Sequence, residues 1–112
     1  MPVSPDMMQQ SIAALSEKIG ADCGIDACWT YDLGPDGHLF VDCKTVPHRI
    51  LREKHMTECV ITLSLEDLWR LLSGQVDSQT VFTQGKIRLS GDMALVLKID
   101  TLLGTYRVAQ GS

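Results

Sequence analysis

The chain has 112 residues, of which 45% are hydrophobic and 21% charged, and fourteen acidic side chains against ten basic ones give a net charge of −4. That length leaves room for a single domain, expected over residues 1–112, which buries about two-thirds of its unfolded surface and needs no covalent staple. The acidic balance excludes broad contact with a phosphate backbone or an anionic bilayer, so no nucleic-acid partner is expected.

No apolar run approaches the roughly 20 residues that cross a bilayer, and the start of the chain lacks the basic and continuous apolar pattern of a secretory signal. A cytoplasmic protein is the expectation. Its four cysteines, Cys23, Cys28, Cys43 and Cys59, form no C-x-x-C pair and are expected to be free thiols.

Met8, Ile12, Leu15 and Ile19 recur at helical spacing, which predicts a first helix that starts near Ser4 or Asp6 and stops at Gly20. From Ile25 to Leu33 the period changes to two, placing Ile25, Ala27, Trp29 and Tyr31 on one face of a strand. The run Gly34, Pro35, Asp36, Gly37 is turn chemistry, so a hairpin follows, with Leu39, Val41 and Cys43 facing inward on its second strand. Pro47 interrupts it before a short edge strand between Arg49 and Arg52.

Cys59 to Leu63 form a β-branched run, and Leu65, Leu68, Trp69 and Leu72 then sit at helical offsets, with Ser64 as the cap and Gly74 as the stop. A second short helix runs from Asp77 to Gln84 and exits at Gly85, before a brief strand from Lys86 to Ser90. The last predicted helix holds Met93, Ala94, Leu95, Val96, Leu97, Ile99, Leu102 and Leu103, and is apolar around most of its circumference. Such a helix is either sandwiched in a core or presents one face to the protein and another to something else apolar, and in a chain this small few other helices remain to cover its second side.

Three consecutive pieces between residues 59 and 103 carry a resemblance: CVITLSLEDL from Cys59, LSGQVDSQTVFTQGKIRL from Leu72, and SGDMALVLK from Ser90. In order and wording they resemble the sterol carrier protein 2 family; the first half matches in layout, a helix followed by a hairpin with a Trp on its first strand. The resemblance implies an α+β fold, a five-stranded, mostly antiparallel sheet covered on one face by helices, with an apolar tunnel between the layers. The element order points independently to two layers. The tunnel comes from the resemblance alone.

The family's ligand contacts fall here on Trp29, Gln79, Phe82, Met93 and Leu97, with Leu68, Leu72 and Ile61 packed around them. Gln79 reads either as the one polar tip on a greasy wall or as an exposed helix residue. Where some family members carry glutamine this chain has Leu97, which implies a more apolar far end. The peroxisomal members end in a Ser-Lys-Leu type tripeptide, whereas this chain ends Val108, Ala109, Gln110, Gly111, Ser112.

No nucleotide-binding loop and no nucleophile motif occurs, so neither a catalytic site nor a cofactor is expected. A zinc set of Cys43, His48, His55 and Cys59 is conceivable at intervals of 5, 7 and 4, but structural zinc announces itself with two close pairs, so no metal is expected. Two readings of function remain. One is a lipid-binding or lipid-transfer domain for a fatty acid, acyl-CoA, sterol or isoprenoid, meeting a membrane or a partner enzyme transiently. The other is an accessory assembly module whose apolar surface around Trp29, Trp69 and the last helix is covered by a partner chain. A monomer or a homodimer is expected: a monomer that binds lipid favours the first reading, and a stable dimer with no free cavity the second.

Overall fold

In the computed structural model, which describes residues 5–104, the chain folds as four α-helices and a five-stranded sheet among those residues. Helix α1 (Pro5–Ile19) carries the predicted stripe: Met8, Leu15 and Ile19 are buried and Ile12 half-buried. Ser4, one of the two predicted starts, lies outside the described residues. Strands β1 (Cys28–Asp32) and β2 (His38–Asp42) make the expected antiparallel hairpin, closed by one turn of 3-10 helix over Gly34–Asp36.

Both hairpin strands are shorter than the alternation predicts, and Asp42 supplies the reason. Its side chain is 7% exposed. It accepts from the Lys44 and Thr45 amides at 3.0 and 3.2 Å, the Thr45 hydroxyl at 2.9 Å and the Arg49 guanidinium at 2.8 Å. These bonds curl the chain out of the ladder directly after β2, so Cys43 and Lys44 fall beyond the strand. The Arg49 guanidinium beside it holds the Asp42 carboxyl well below the usual carboxylate range. Strand β3 (Arg49–Leu51) then pairs at the edge of β2, one residue shorter than expected.

Strand β4 (Cys59–Thr62) is parallel to β1, and β5 (Arg88–Gly91) is antiparallel to β4, giving the order β3-β2-β1-β4-β5. The sheet is therefore mostly antiparallel, with one parallel pair at its centre. Register lines up two inward rows across it: Leu39, Tyr31, Ile61 and Leu89 in one, and Ile50, Val41, Trp29 and Cys59 in the other.

Helices α2 (Leu65–Leu72) and α3 (Ser78–Thr83) start where their caps predict, and α4 (Met93–Leu103) is capped by Asp92, which accepts from the Ala94 and Leu95 amides. The Ser64 hydroxyl accepts from the Asp67 amide at 3.0 Å and the Asp77 carboxylate from the Thr80 amide at 2.7 Å, each satisfying an orphan donor of its first turn. Helix α1 packs on both α2 and α4, closing the helical layer over one face. On the opposite face, Thr30 is 2% exposed and hydrogen-bonds the Thr57 hydroxyl at 3.0 Å, and His55 stacks on Phe40 with ring centroids 4.2 Å apart. A loop thus shields part of the face that alternation marks as polar.

Candidate ligand-binding cavity

Helix α4 has two apolar stripes. Leu95 and Ile99, four apart, are 5% and 1% exposed and belong to the core. Met93, Val96, Asp100 and Leu103 follow at intervals of three, four and three on the neighbouring stripe, and together with Leu97 they line a cavity of about 340 Å³. Its floor is Tyr31, Ile61 and Leu89, from three adjacent strands, and Leu68, Leu71 and Leu72 of α2 form a side wall. Gln79 and Phe82 of α3 stand across from α4.

The mouth is defined by exposure: Phe82, Met93 and Leu97 are 55%, 45% and 58% exposed although all three line the cavity. Apolar side chains of this size are ordinarily covered, and three on one rim mark where something apolar enters. A shallower hollow of about 380 Å³, bordered by Cys23, Ile25 and Leu102, lies on the other side of Leu97. Leu97 is the side chain that the two hollows share.

Polar groups on the wall are few. The Ser78 hydroxyl donates to the Asp100 carboxylate at 3.3 Å, tying the start of α3 to α4. Tyr31 is 3% exposed, and its hydroxyl has the Trp29 indole as polar neighbour, the pair falling short of good hydrogen-bond geometry. Burial pushes the Tyr31 phenol far above its ordinary pKa, so it stays neutral.

Seven of the eight residues expected on the wall therefore surround one cavity: Ile61, Leu68, Leu72, Gln79, Phe82, Met93 and Leu97. Trp29 does not. It is fully buried, one inward row along β1 from Tyr31 and level with Val41 and Cys59, where the interior is filled. Gln79 is exposed on α3 and lies on the cavity wall, but it is not the one polar tip there, because Tyr31, Ser78 and Asp100 share the wall. Sequence reasoning missed Tyr31, Ser78 and Asp100. Asp100 had a detectable signal, since it falls on the Met93 and Val96 stripe of an otherwise apolar helix.

The chain's sequence matches the SCP-2 sterol transfer family over residues 23–104. The chain belongs to that family. Sterol carrier protein 2 of Bos taurus is 33% identical over 70 residues, which are 62% of this chain and 13% of that protein, so the chain spans a small part of its curated relative. The fold recurs in the solution structure of the sterol carrier protein domain 2 of Helicoverpa armigera. That match has a TM-score of 0.66 at 20% identity and covers 96% of this chain and 98% of that one. It recurs again in sterol carrier protein 2 of Aedes aegypti in complex with the C16 fatty acid palmitate, with a TM-score of 0.68 at 16% identity, covering 96% of this chain and 100% of that one. As an SCP-2 member, the chain carries the five-stranded α+β architecture that the resemblance implied. Among the described residues no helix is long and apolar enough to cross a membrane.

The conceivable zinc set is dispersed by the fold. Its Cys43 and His48 lie together, but His55 stacks on Phe40 and pairs with Glu53 at 2.7 Å, while Cys59 is buried in β4. Burial pushes the Cys59 thiol up to about 11, with Asp92 and Glu58 adding to the shift.

Proposed function

We propose that this domain is a non-catalytic lipid-binding or lipid-transfer module, holding a long apolar ligand such as a fatty acid, acyl-CoA, sterol or isoprenoid in the cavity between α2, α3, α4 and the sheet. The observation that carries this reading is a 340 Å³ hollow whose apolar wall runs out to three exposed hydrophobic side chains. That volume is at the lower end of the ~300–1,000 Å³ of small-molecule sites. Each buried methylene contributes about 0.8 kcal/mol, so micromolar affinity follows from partial insertion of an acyl chain. The Aedes aegypti relative, named as a complex with palmitate, supports the same ligand class.

Polar placement orients the guest. A fatty acid places its acid group at the exposed mouth near Gln79 and its tail inward along the apolar wall. The wall's polar residues are Tyr31, Ser78, Gln79 and Asp100, with the thiols and imidazoles elsewhere, which favours a carrier over an enzyme. Helix α4 is the element that moves for release, because its Met93 and Leu97 already stand in water. The exposed rim is accounted for as a mouth and needs no covering partner chain.

The test is to purify the protein from cells, measure bound lipid by native mass spectrometry, and titrate displacement of a fluorescent fatty acid from delipidated protein. Copurified lipid and displacement are expected. Neither bound lipid nor displacement at tens of micromolar would end the reading. Light scattering on the same sample tells a lipid-binding monomer from a stable dimer with an unused cavity.

A further inference from the structure

Away from the cavity, the thiols of Cys23 and Cys43 and an imidazole nitrogen of His48 lie within 4.8 Å of one another. Cys23 precedes β1, whereas Cys43 and His48 lie at the two ends of the loop between β2 and β3, so two separate loops converge at the end of the sheet. We propose that this cluster is a binding site for a thiophilic divalent cation of the zinc class, with two sulfur donors and one nitrogen donor.

Three features support it. First, the donor chemistry is that of zinc sites, whose tetrahedral bond lengths of about 2.3 Å to sulfur and 2.0 Å to nitrogen require donors roughly 3.5–3.8 Å apart. The present separations, at most 4.8 Å, need to close by no more than about 1.3 Å. Second, His48 is preset: its Nδ1 lies 2.7 Å from the Thr45 carbonyl, to which it donates. That bond fixes the tautomer with the proton on Nδ1 and the lone pair on Nε2, the outer-shell arrangement that metal-bound histidines use. Third, the cluster is sheltered without being sealed. The His48 side chain is 2% exposed, Cys43 is 3% exposed and Cys23 is half-buried.

At present Nε2 accepts from the Cys23 amide at 2.9 Å, and the His48 amide donates to the Ala21 carbonyl at 3.0 Å, so the loop that carries Cys23 is already docked on His48. A cation takes the place of the Cys23 amide hydrogen on Nε2, and the two thiol protons leave to the buffer. Asp22, whose Oδ1 is 3.9 Å from Nε2 and accepts from the Gly24 amide at 3.1 Å, has a side chain 65% exposed and is a candidate fourth donor. Cys28 is engaged elsewhere, donating to Asp42 at 3.4 Å. The site does not touch the floor or side walls of the lipid cavity, so its existence is independent of the lipid reading.

The test uses the full chain, reduced with a phosphine and stripped with a chelator, titrated with Co²⁺ and then with Zn²⁺ in competition. Expected are one equivalent of Co²⁺ with thiolate-to-cobalt charge-transfer and tetrahedral d–d bands, displacement by Zn²⁺, and a raised melting temperature. His48→Gln and Cys23→Ser are each expected to weaken Zn²⁺ binding at least tenfold, and Cys59→Ser to leave it unchanged. Cys23 is half-buried on a loop, so its variant folds even if a change at buried Cys43 does not. Absence of the cobalt bands, or bands that survive in both His48→Gln and Cys23→Ser, overturns the proposal.

Discussion

Val96→Phe separates a hollow from a packed wall. Val96 is 5% exposed and lines the cavity from α4, and its helix propensity is close to that of phenylalanine. The substitution adds about four side-chain carbons, worth about 3 kcal/mol at ~0.8 kcal/mol per buried carbon. Misfit against the wall costs about 1–3 kcal/mol. If the space is empty, delipidated protein is expected to be as stable as the parent, or up to about 2 kcal/mol more stable, in urea denaturation. The same ring removes room for about four methylenes of ligand, so affinity for a long acyl probe is expected to fall about 100-fold in a displacement titration. A variant that loses more than about 2 kcal/mol of stability while binding the probe as before would refute the reasoning, because Val96 would then face packed core.

Three further outcomes follow from particular contacts. Leu97→Arg is expected to fold, because a side chain already 58% exposed lets the guanidinium reach water. Its charge at the mouth is expected to weaken binding of a neutral apolar probe about three- to tenfold, and unchanged affinity in the folded variant would remove Leu97 from the wall. Gly91→Ala is expected to destabilise by about 2 kcal/mol or more in urea denaturation. Gly91 has φ of 99°, and a Cβ there collides with the Glu58 carbonyl. Cys59, 1% exposed with its thiol pushed up to about 11, stays protonated at pH 8, so it is expected to resist alkylation until the protein unfolds; labelling at the rate of a denatured control would contradict its burial.

Most elements and their ends were legible because their signals are local. The Ser64 and Asp77 caps, the Gly34 to Gly37 turn and the Met8, Leu15, Ile19 stripe each depend on residues within a few positions of one another. The two apolar stripes of α4 were present as a helix greasy on too many sides; one stripe packs into the core and the other lines the cavity, with Met93 and Leu97 exposed. The early end of β2 was not legible, because the Asp42 carboxylate that stops it draws on Arg49, seven residues away.

By itself, then, the sequence determined which segments become helix or strand and which face of each is apolar, since periodicity and capping act over one or two turns of chain. Tertiary structure alone decided that β4 lies parallel to β1, that Trp29 sits in filled core while Tyr31 floors a cavity, and that Cys23 joins Cys43 and His48. The physical reason is one of range. An apolar stripe declares that it avoids water, but whether the space opposite is occupied by side chains or left open depends on how layers from distant parts of the chain meet.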